Sequence, residues 1–301
     1  MINRIIEISE GGYFLRVEDR QLVLEKKGET AKRIPLSDIA VLVLGTTWAT
    51  YSHSVLSGLA EEGAVVVVAD GRGMPASLLL PMYNRSLQAQ RLAQQIAATE
   101  PTRKRLWQRI VGLKIENQGR LLRKLHGDDF GLLAKAKLVK SGDKENLEGQ
   151  AARIYWARLY GDPSFRRTPG EGERPNHFLD YGYAVLRGMV ARAICATGLH
   201  PTLGLHHHHR DNSFCLADDL MEPFRPIVDH AVCHLIREGK GKAELDRDTK
   251  SVLVSPLLGK LVWEGNNLTL FDGVSILTAS LARILEGEEV ELNLPAPLSF
   301  D

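Results

Sequence analysis

Three groups of side chains in this 301-residue sequence could do chemistry. The first is the run His206-His207-His208-His209. Alternate side chains of an extended segment face opposite ways, so at most two of the four are expected to share a face. The second is Asp218-Asp219-Leu220-Met221-Glu222-Pro223-Phe224-Arg225-Pro226. On a helix, Asp218 and Asp219 lie four and three positions before Glu222 and share a face with it. Taken alone, the segment favours helix N-terminal capping over cation binding by hard oxygen ligands. Capping suits Asp218 and Asp219 better than Glu222, which Pro223 and Arg225 follow closely. The third is Glu148, within Asn146-Leu147-Glu148-Gly149-Gln150-Ala151-Ala152-Arg153. By itself, a Glu at a helix start is a capping-box or dipole residue.

Together the three groups read differently. Two carboxylates and an imidazole from separate segments make a mixed oxygen and nitrogen donor set, which suits Mg²⁺ or Mn²⁺, with the imidazole favouring manganese. A structural zinc would want Cys and His closed around it. Hard divalent ions on carboxylates serve phosphodiester chemistry, by polarising the phosphoryl oxygen and stabilising the leaving oxygen. No Walker loop, dinucleotide glycine fingerprint or nucleophile elbow is present. Gly71-Arg72-Gly73 reads as a turn.

Charge supports a polyanionic substrate. The chain carries 38 Lys and Arg against 37 Asp and Glu, but unevenly: residues 1–85 carry a net −1, residues 86–140 a net +8 and residues 141–301 a net −6. The middle block includes Arg103, Lys104, Arg105, Arg109, Lys114, Arg120, Arg123 and Lys124. Such a field attracts nucleic acid, although a solvated helix face explains the charge alone equally well. A hydrophobic content of 44% excludes a disordered chain. Three cysteines without metal-finger spacing argue against both a disulfide scaffold and a zinc knuckle. The N-terminus lacks the apolar stretch of a signal peptide, and no apolar run nears the roughly 18–20 residues that span a bilayer. The expectation is a cytoplasmic protein without membrane contact.

The elements that must position these groups fall into two sets. Arg4–Ile8, Tyr13–Val17 and Gln21–Glu25 alternate as strands, broken at Gly11-Gly12 and Glu18-Asp19. Ile39–Leu44 and Ala64–Ala69 are continuous apolar runs that suit strands buried on both faces. Between them Ser52–Glu62 is helical, with Gly63 as C-cap. From Ser86 the period becomes helical: one segment with Leu92 and Ile96, a basic one from Leu106 to Leu122, then Leu147–Tyr160, Phe178–Thr197, Pro226–Arg237 and Ser275–Leu285. Arg158–Arg174 and Pro201–Cys215 read as irregular loops, and Trp263–Asp272 as a hairpin turned by Gly265-Asn266-Asn267. The tail after Gly287 reads as loosely held. The fold class is α+β: a small N-terminal β-rich domain (residues 1–80), a linker (81–85) and a larger, mostly α-helical catalytic domain (86–301).

At Leu216–Pro226 (LADDLMEPFRP), Asn146–Tyr155 (NLEGQAARIY), Leu179–Leu186 (LDYGYAVL), Gly198–Phe214 and Met82–Leu87 (MYNRSL), the sequence resembles the CRISPR adaptation endonuclease/integrase ("Cas one") family, in particular its type II branch. The resemblance runs over essentially the whole chain. It implies that Glu148, His207 and Glu222 are the catalytic and metal-binding residues. The histidine falls three after Gly204 and five before Asn212, with His206, His208 and His209 departing from the family's pattern. Asp218 and Asp219 would support the site, and Arg225 would orient Glu222. The implied activity is metal-dependent transesterification, with a DNA fragment's 3′-hydroxyl attacking a repeat boundary, together with nicking of branched DNA. The implied partners are double-stranded DNA (spacer fragments and repeat DNA), a second copy of the chain held through the β domain, and a small ferredoxin-like adaptation subunit completing a heterohexamer. The competing readings are a non-catalytic DNA-binding scaffold and a generic metal-dependent phosphodiesterase.

Overall fold

The alternating and β-branched runs of the N-terminal part form strands around one helix. In chain order these are β1 (Arg4–Ile8), β2 (Tyr13–Glu18), β3 (Gln21–Lys26), β4 (Lys32–Pro35), β5 (Ile39–Leu44), β6 (Thr50–Tyr51), α1 (His53–Glu61), β7 (Val65–Ala69) and β8 (Pro75–Leu79). The structure is a computed structural model describing residues 4–71, 75–82, 88–162, 164–170, 175–241 and 243–300. Arg72 and Gly73 of the expected turn lie outside the described residues. So do 83–85 of the linker, 83–87 of the MYNRSL motif, and 163 and 171–174 of the Arg158–Arg174 loop.

The strands make two four-stranded sheets, ordered β1-β5-β7-β8 and β4-β3-β2-β6. β5 runs parallel to both β1 and β7, and β8 pairs antiparallel at the edge. Successive side chains of β5 and β7 serve different cores, as their period of two requires. Val41, Val43, Val65 and Val67 join the large core of the helical part, while Leu42, Leu44 and Val66 join a smaller one with Leu15, Leu22, Val55 and Leu59. The β2–β3 hairpin turns on Asp19 and Arg20, both in the left-handed region (φ 50° and 57°), one residue later than the break expected at Glu18-Asp19. Glu18 stays in register opposite Gln21. The sequence did not reveal β4, β6 and β8: β4 and β6 carry too few residues to show a period, and β8 is placed by its pairing with β7.

The C-terminal part comprises α2 (Gln88–Ala97), α3 (Glu100–His126), α4 (Leu132–Ala136), α5 (Leu147–Leu159), α6 (Asn176–Ala196), α7 (Cys215–Met221), α8 (Arg225–Arg237), α9 (Arg247–Val254), β9 (Lys260–Trp263), β10 (Asn266–Thr269) and α10 (Leu270–Leu285). α3 is delimited by its sequence: Thr99 accepts the Thr102 N–H at its start, and Gly127 (φ 78°) ends it. α6 is buried along its length and is the central helix. It packs on the mixed sheet at Gly188, where an added Cβ would stand 3.7 Å from Val65 and Val67. Buried Lys250 of α9 pairs with Glu7 of β1 at 2.8 Å, and the Tyr181 hydroxyl of α6 donates to the same Glu7 at 3.1 Å. The α+β class is as expected.

Two details of the C-terminal part differ from expectation. The β9–β10 hairpin turns on Glu264-Gly265 (φ 47° and 80°), so Asn266 already pairs with Trp263, and α10 starts at Leu270. The tail is docked rather than loose: Leu292 and Leu298 are buried in the core, and the Leu298 N–H donates to Asn117 Oδ1 of α3 at 2.8 Å. Apolar side chains scattered among acids and prolines gave no periodic signal, yet Leu292, Leu294, Leu298 and Phe300 all pack on the core. No helix among the described residues is long and apolar enough to cross a membrane.

Candidate metal centre

Glu148 sits in the first turn of α5, but other residues do the capping. Asn146, in the left-handed region (φ 51°), accepts the Gly149 N–H at 3.1 Å. Asp143 accepts the N–H groups of Leu147 at 2.8 Å and Glu148 at 2.9 Å. With the orphan donors of the helix start satisfied, the Glu148 carboxylate is free for other work. Its Oε1 lies 2.6 Å from Lys114 Nζ of α3.

Glu222 opens a 3-10 turn between α7 and α8 and is 3% exposed. Its Oε2 stands 2.6 Å from the same Lys114 Nζ, and its Oε1 lies 3.0 Å from Arg225 Nε. Neither Glu222 Oε2 nor Arg225 Nε has a partner in hydrogen-bond alignment. Both are close charge contacts within the buried cluster. Burial works to raise the Glu222 pKa, but Arg225 and Lys114 outweigh it and hold the carboxyl below its ordinary value. Burial likewise opposes the Lys114 ammonium, and Glu222 with Glu148 outweighs it and holds its pKa above the ordinary lysine value. Because one nitrogen touches both carboxylates, Glu148 Oε1 and Glu222 Oε2 are at most about 5 Å apart.

His207 reaches this place from the irregular segment before α7. Asp219, fully buried, gathers the segment onto itself. Its Oδ2 accepts the N–H groups of Leu205 (2.6 Å) and His206 (2.9 Å), and its Oδ1 accepts the His207 N–H (3.2 Å). The same Oδ1 lies 2.5 Å from His207 Nδ1. The carboxylate contact favours the proton on Nδ1, which leaves Nε2 as the ligating atom of the neutral ring. This is the arrangement by which a carboxylate orients a metal-ligating histidine. The Asp219 hydrogen bond raises the His207 pKa against the effect of burial, and the Glu222 and Glu148 charges act on the ring in the same direction. Gly204 makes the curl possible, because an added Cβ would run into the His207 carbonyl oxygen.

Capping by Asp218 and Asp219 is overturned, since α7 has no side-chain cap. Asp218 instead accepts from Arg187 Nε and Asn212 Nδ2, both at 2.7 Å, tying the loop to α6. The histidines also depart from simple alternation, because the segment is not a strand. His206 stacks on Trp107 of α3 at 4.2 Å between centroids, and His207 meets the same indole edge-on at 5.5 Å. His208 lines a cavity of about 280 Å³ with His206, Arg103, Lys104 and Glu100. Under Arg225 lies a buried group that sequence reasoning missed. The Arg225 guanidinium sits over the Tyr183 ring at 4.7 Å. Tyr183 and Tyr155 both donate to Asp229, the latter at 2.6 Å. Burial lifts the Asp229 carboxyl to about 6, despite these hydrogen bonds.

The basic block divides along α3. At about 100° per residue, Arg103, Trp107 and Lys114 share the inward arc, with Lys104 at its margin, while Arg105, Arg109, Arg120, Arg123 and Lys124 fall on the solvent arc. Several of the outer residues pair with acids: Arg109 with Glu291 at 3.1 Å, Arg120 with Glu116 at 2.9 Å, and Arg123 with Asp129. Lys114, expected on the DNA-binding strip, stands instead between the two carboxylates. Its apolar neighbours on the same arc were the available signal.

Among the described residues no three His, Cys, Asp or Glu side chains already stand at shared coordination distance. The donor chemistry nonetheless fits a hard divalent ion: two carboxylates converge on one cation, and an imidazole is held through Nδ1 by a buried carboxylate.

Residues 6–263 match the family described as CRISPR associated protein Cas1. The CRISPR-associated endonuclease Cas1 of Neisseria meningitidis serogroup C (strain 8013) is 36% identical over 298 residues, spanning 97% of this chain and 95% of the relative. The CRISPR-associated endonuclease Cas1 1 of Francisella tularensis subsp. novicida (strain U112) is 30% identical over 287 residues, spanning 87% of this chain and 90% of that one. Among solved structures, a casposase bound to integration product superposes with a TM-score of 0.79 at 22% identity, covering 96% of this chain and 92% of that one. A Cas1 protein from Thermotoga maritima superposes at 0.77 and 19% identity, covering 95% and 98%.

Proposed function

This chain belongs to the family of CRISPR associated protein Cas1, and from that premise we propose that it is a metal-dependent DNA endonuclease and integrase of spacer acquisition. The observation that carries the reading is the convergence of Glu148 and Glu222 on one cation, with His207 within range of both charges. Glu148, Glu222 and His207 Nε2 would hold Mg²⁺ or Mn²⁺. The ion would supply Lewis-acid stabilisation to the phosphoryl and leaving oxygens. Asp219 fixes the His207 tautomer and ring direction, and Arg225 holds the Glu222 carboxylate. Arg103 and Lys104, on the site's side of α3, would contact the backbone of the DNA. The 3′-hydroxyl of a fragment would attack the repeat-boundary phosphodiester in line with the departing oxygen.

The similarity to the Neisseria relative supports the type II branch. The homodimer through the β-rich part, the two-domain division near residues 81–85, and a heterohexamer with a small ferredoxin-like subunit belong to the same proposal. The test is strand transfer of a DNA fragment into repeat DNA with Mn²⁺ or Mg²⁺, using Glu148→Gln, His207→Ala and Glu222→Gln. Each substitution abolishes joining and nicking while fragment binding persists. Unchanged joining in all three would leave the scaffold reading. Cleavage of small phosphodiesters without strand transfer would leave the generic phosphodiesterase.

A further inference from the structure

Lys114 is the feature of the site that the proposed reaction does not use. Its ammonium touches Glu148 Oε1 and Glu222 Oε2, each at 2.6 Å, at the position where the two carboxylates converge. Only 12% of its side chain is exposed, and it projects from the inward arc of a long, well-capped helix. Two carboxylates, this ammonium and the Arg225 guanidinium sum to no net charge. Without the ammonium, two carboxylates converging in a largely buried place would carry an uncompensated charge.

We propose that Lys114 is a resident counter-ion that keeps the two carboxylates assembled without a divalent cation and is displaced by that cation on loading, so that it sets the site's ion affinity and couples it to DNA. The inference rests on the reading of Glu148 and Glu222 as ligands and deepens it. A divalent ion and an ammonium cannot occupy one position between the same oxygens. The flexible four-carbon stem lets the ammonium swing aside while α3 stays in place. Once displaced, it remains tethered within a side-chain length but has lost both carboxylate partners. A phosphodiester gives the displaced ammonium a new partner. Ion and DNA therefore favour one another's binding, and that linkage is reciprocal.

Two measurements test this without relying on turnover. Calorimetric titration of Mn²⁺ into DNA-free protein is expected to show at least tenfold tighter binding for Lys114→Met than for the wild type. A short DNA fragment is expected to tighten Mn²⁺ binding clearly in the wild type and much less in Lys114→Met. Acylation of lysines, followed by mass spectrometry on the wild-type protein, reports the swing directly and does not depend on how the variant folds. Lys114 labels slowly without metal and several-fold faster with Mn²⁺, while Lys250, buried against Glu7, serves as the unchanging control. Equal or weaker Mn²⁺ binding by a folded Lys114→Met, or Lys114 labelling that ignores Mn²⁺ at saturation, overturns the proposal and leaves the metal site standing. No Mn²⁺ binding by either protein at millimolar concentration overturns the metal site and this inference with it.

Discussion

Asp219→Asn removes one charge and no volume, and the structure states what it breaks. The carboxylate accepts four hydrogen bonds: Leu205 and His206 N–H on Oδ2, and His207 N–H and Nδ1–H on Oδ1. An asparagine has one oxygen, so two of the four donors face an NH₂ that cannot accept. Hydrogen bonds to a charged group contribute roughly 1.5–3 kcal/mol each, so the segment loses about 3–6 kcal/mol of local ordering. If the amide oxygen turns toward His207, the loop amides of Leu205 and His206 come free; if it turns away, His207 Nδ1 loses its anchor. Either way the charged partner of the imidazole is gone and part of its support is lost, and loss of such a supporting carboxylate costs about 10–100-fold in metal affinity or activity. The assay pairs amide hydrogen exchange at Leu205, His206 and His207 with strand-transfer rate and Mn²⁺ affinity. Faster exchange at Leu205 and His206 together, or at His207, with a fall in both other quantities, is the expected result. Unchanged exchange with unchanged turnover would refute the role given to Asp219.

Other outcomes follow from the same geometry. Gly204→Ala pushes a methyl into the His207 carbonyl oxygen and toward Asp219; strand transfer falls to the level of Asp219→Asn, while circular dichroism shows a folded protein. Asp229, raised from 3.8 to about 6 by burial, binds its proton more tightly when folded, so its contribution to stability is present below pH 4 and lost as pH rises through about 6. The urea-unfolding free energy of wild type minus that of Asp229→Asn therefore drops by roughly 2–2.5 kcal/mol between pH 4 and 7; a flat difference would mean that folding does not raise its pKa. Arg103→Ala weakens DNA binding and lowers the salt-dependence slope by about 0.9, whereas Arg123→Ala, paired with Asp129 on the outer arc of α3, changes neither. Equal effects in a filter-binding titration across salt would mean that DNA runs along the outer strip instead.

Much of the scaffold was legible in the residues. The β-branched runs of β5 and β7 announced burial on both faces, because a strand side chain has only two directions. The long apolar and basic helices showed their period, and Gly63 marked the end of α1 through the left-handed backbone that glycine adopts without strain. The short strands β6 and β8, the hairpin turn at Glu264-Gly265 and the docked tail carried no comparable signal, since pairing and burial with distant segments decide them. The site divides in the same way. Residue types and the family resemblance named Glu148, His207, Glu222 and their supporters Asp218, Asp219 and Arg225. Only the folded chain gave each its work: Asp143 and Asn146 took over the capping of α5, Asp219 collected three backbone amides and an imidazole, and α3 delivered Lys114 to both carboxylates. Spacing along a chain governs which side chains share a face of one element, whereas charge compensation between elements depends on distances that exist only after packing.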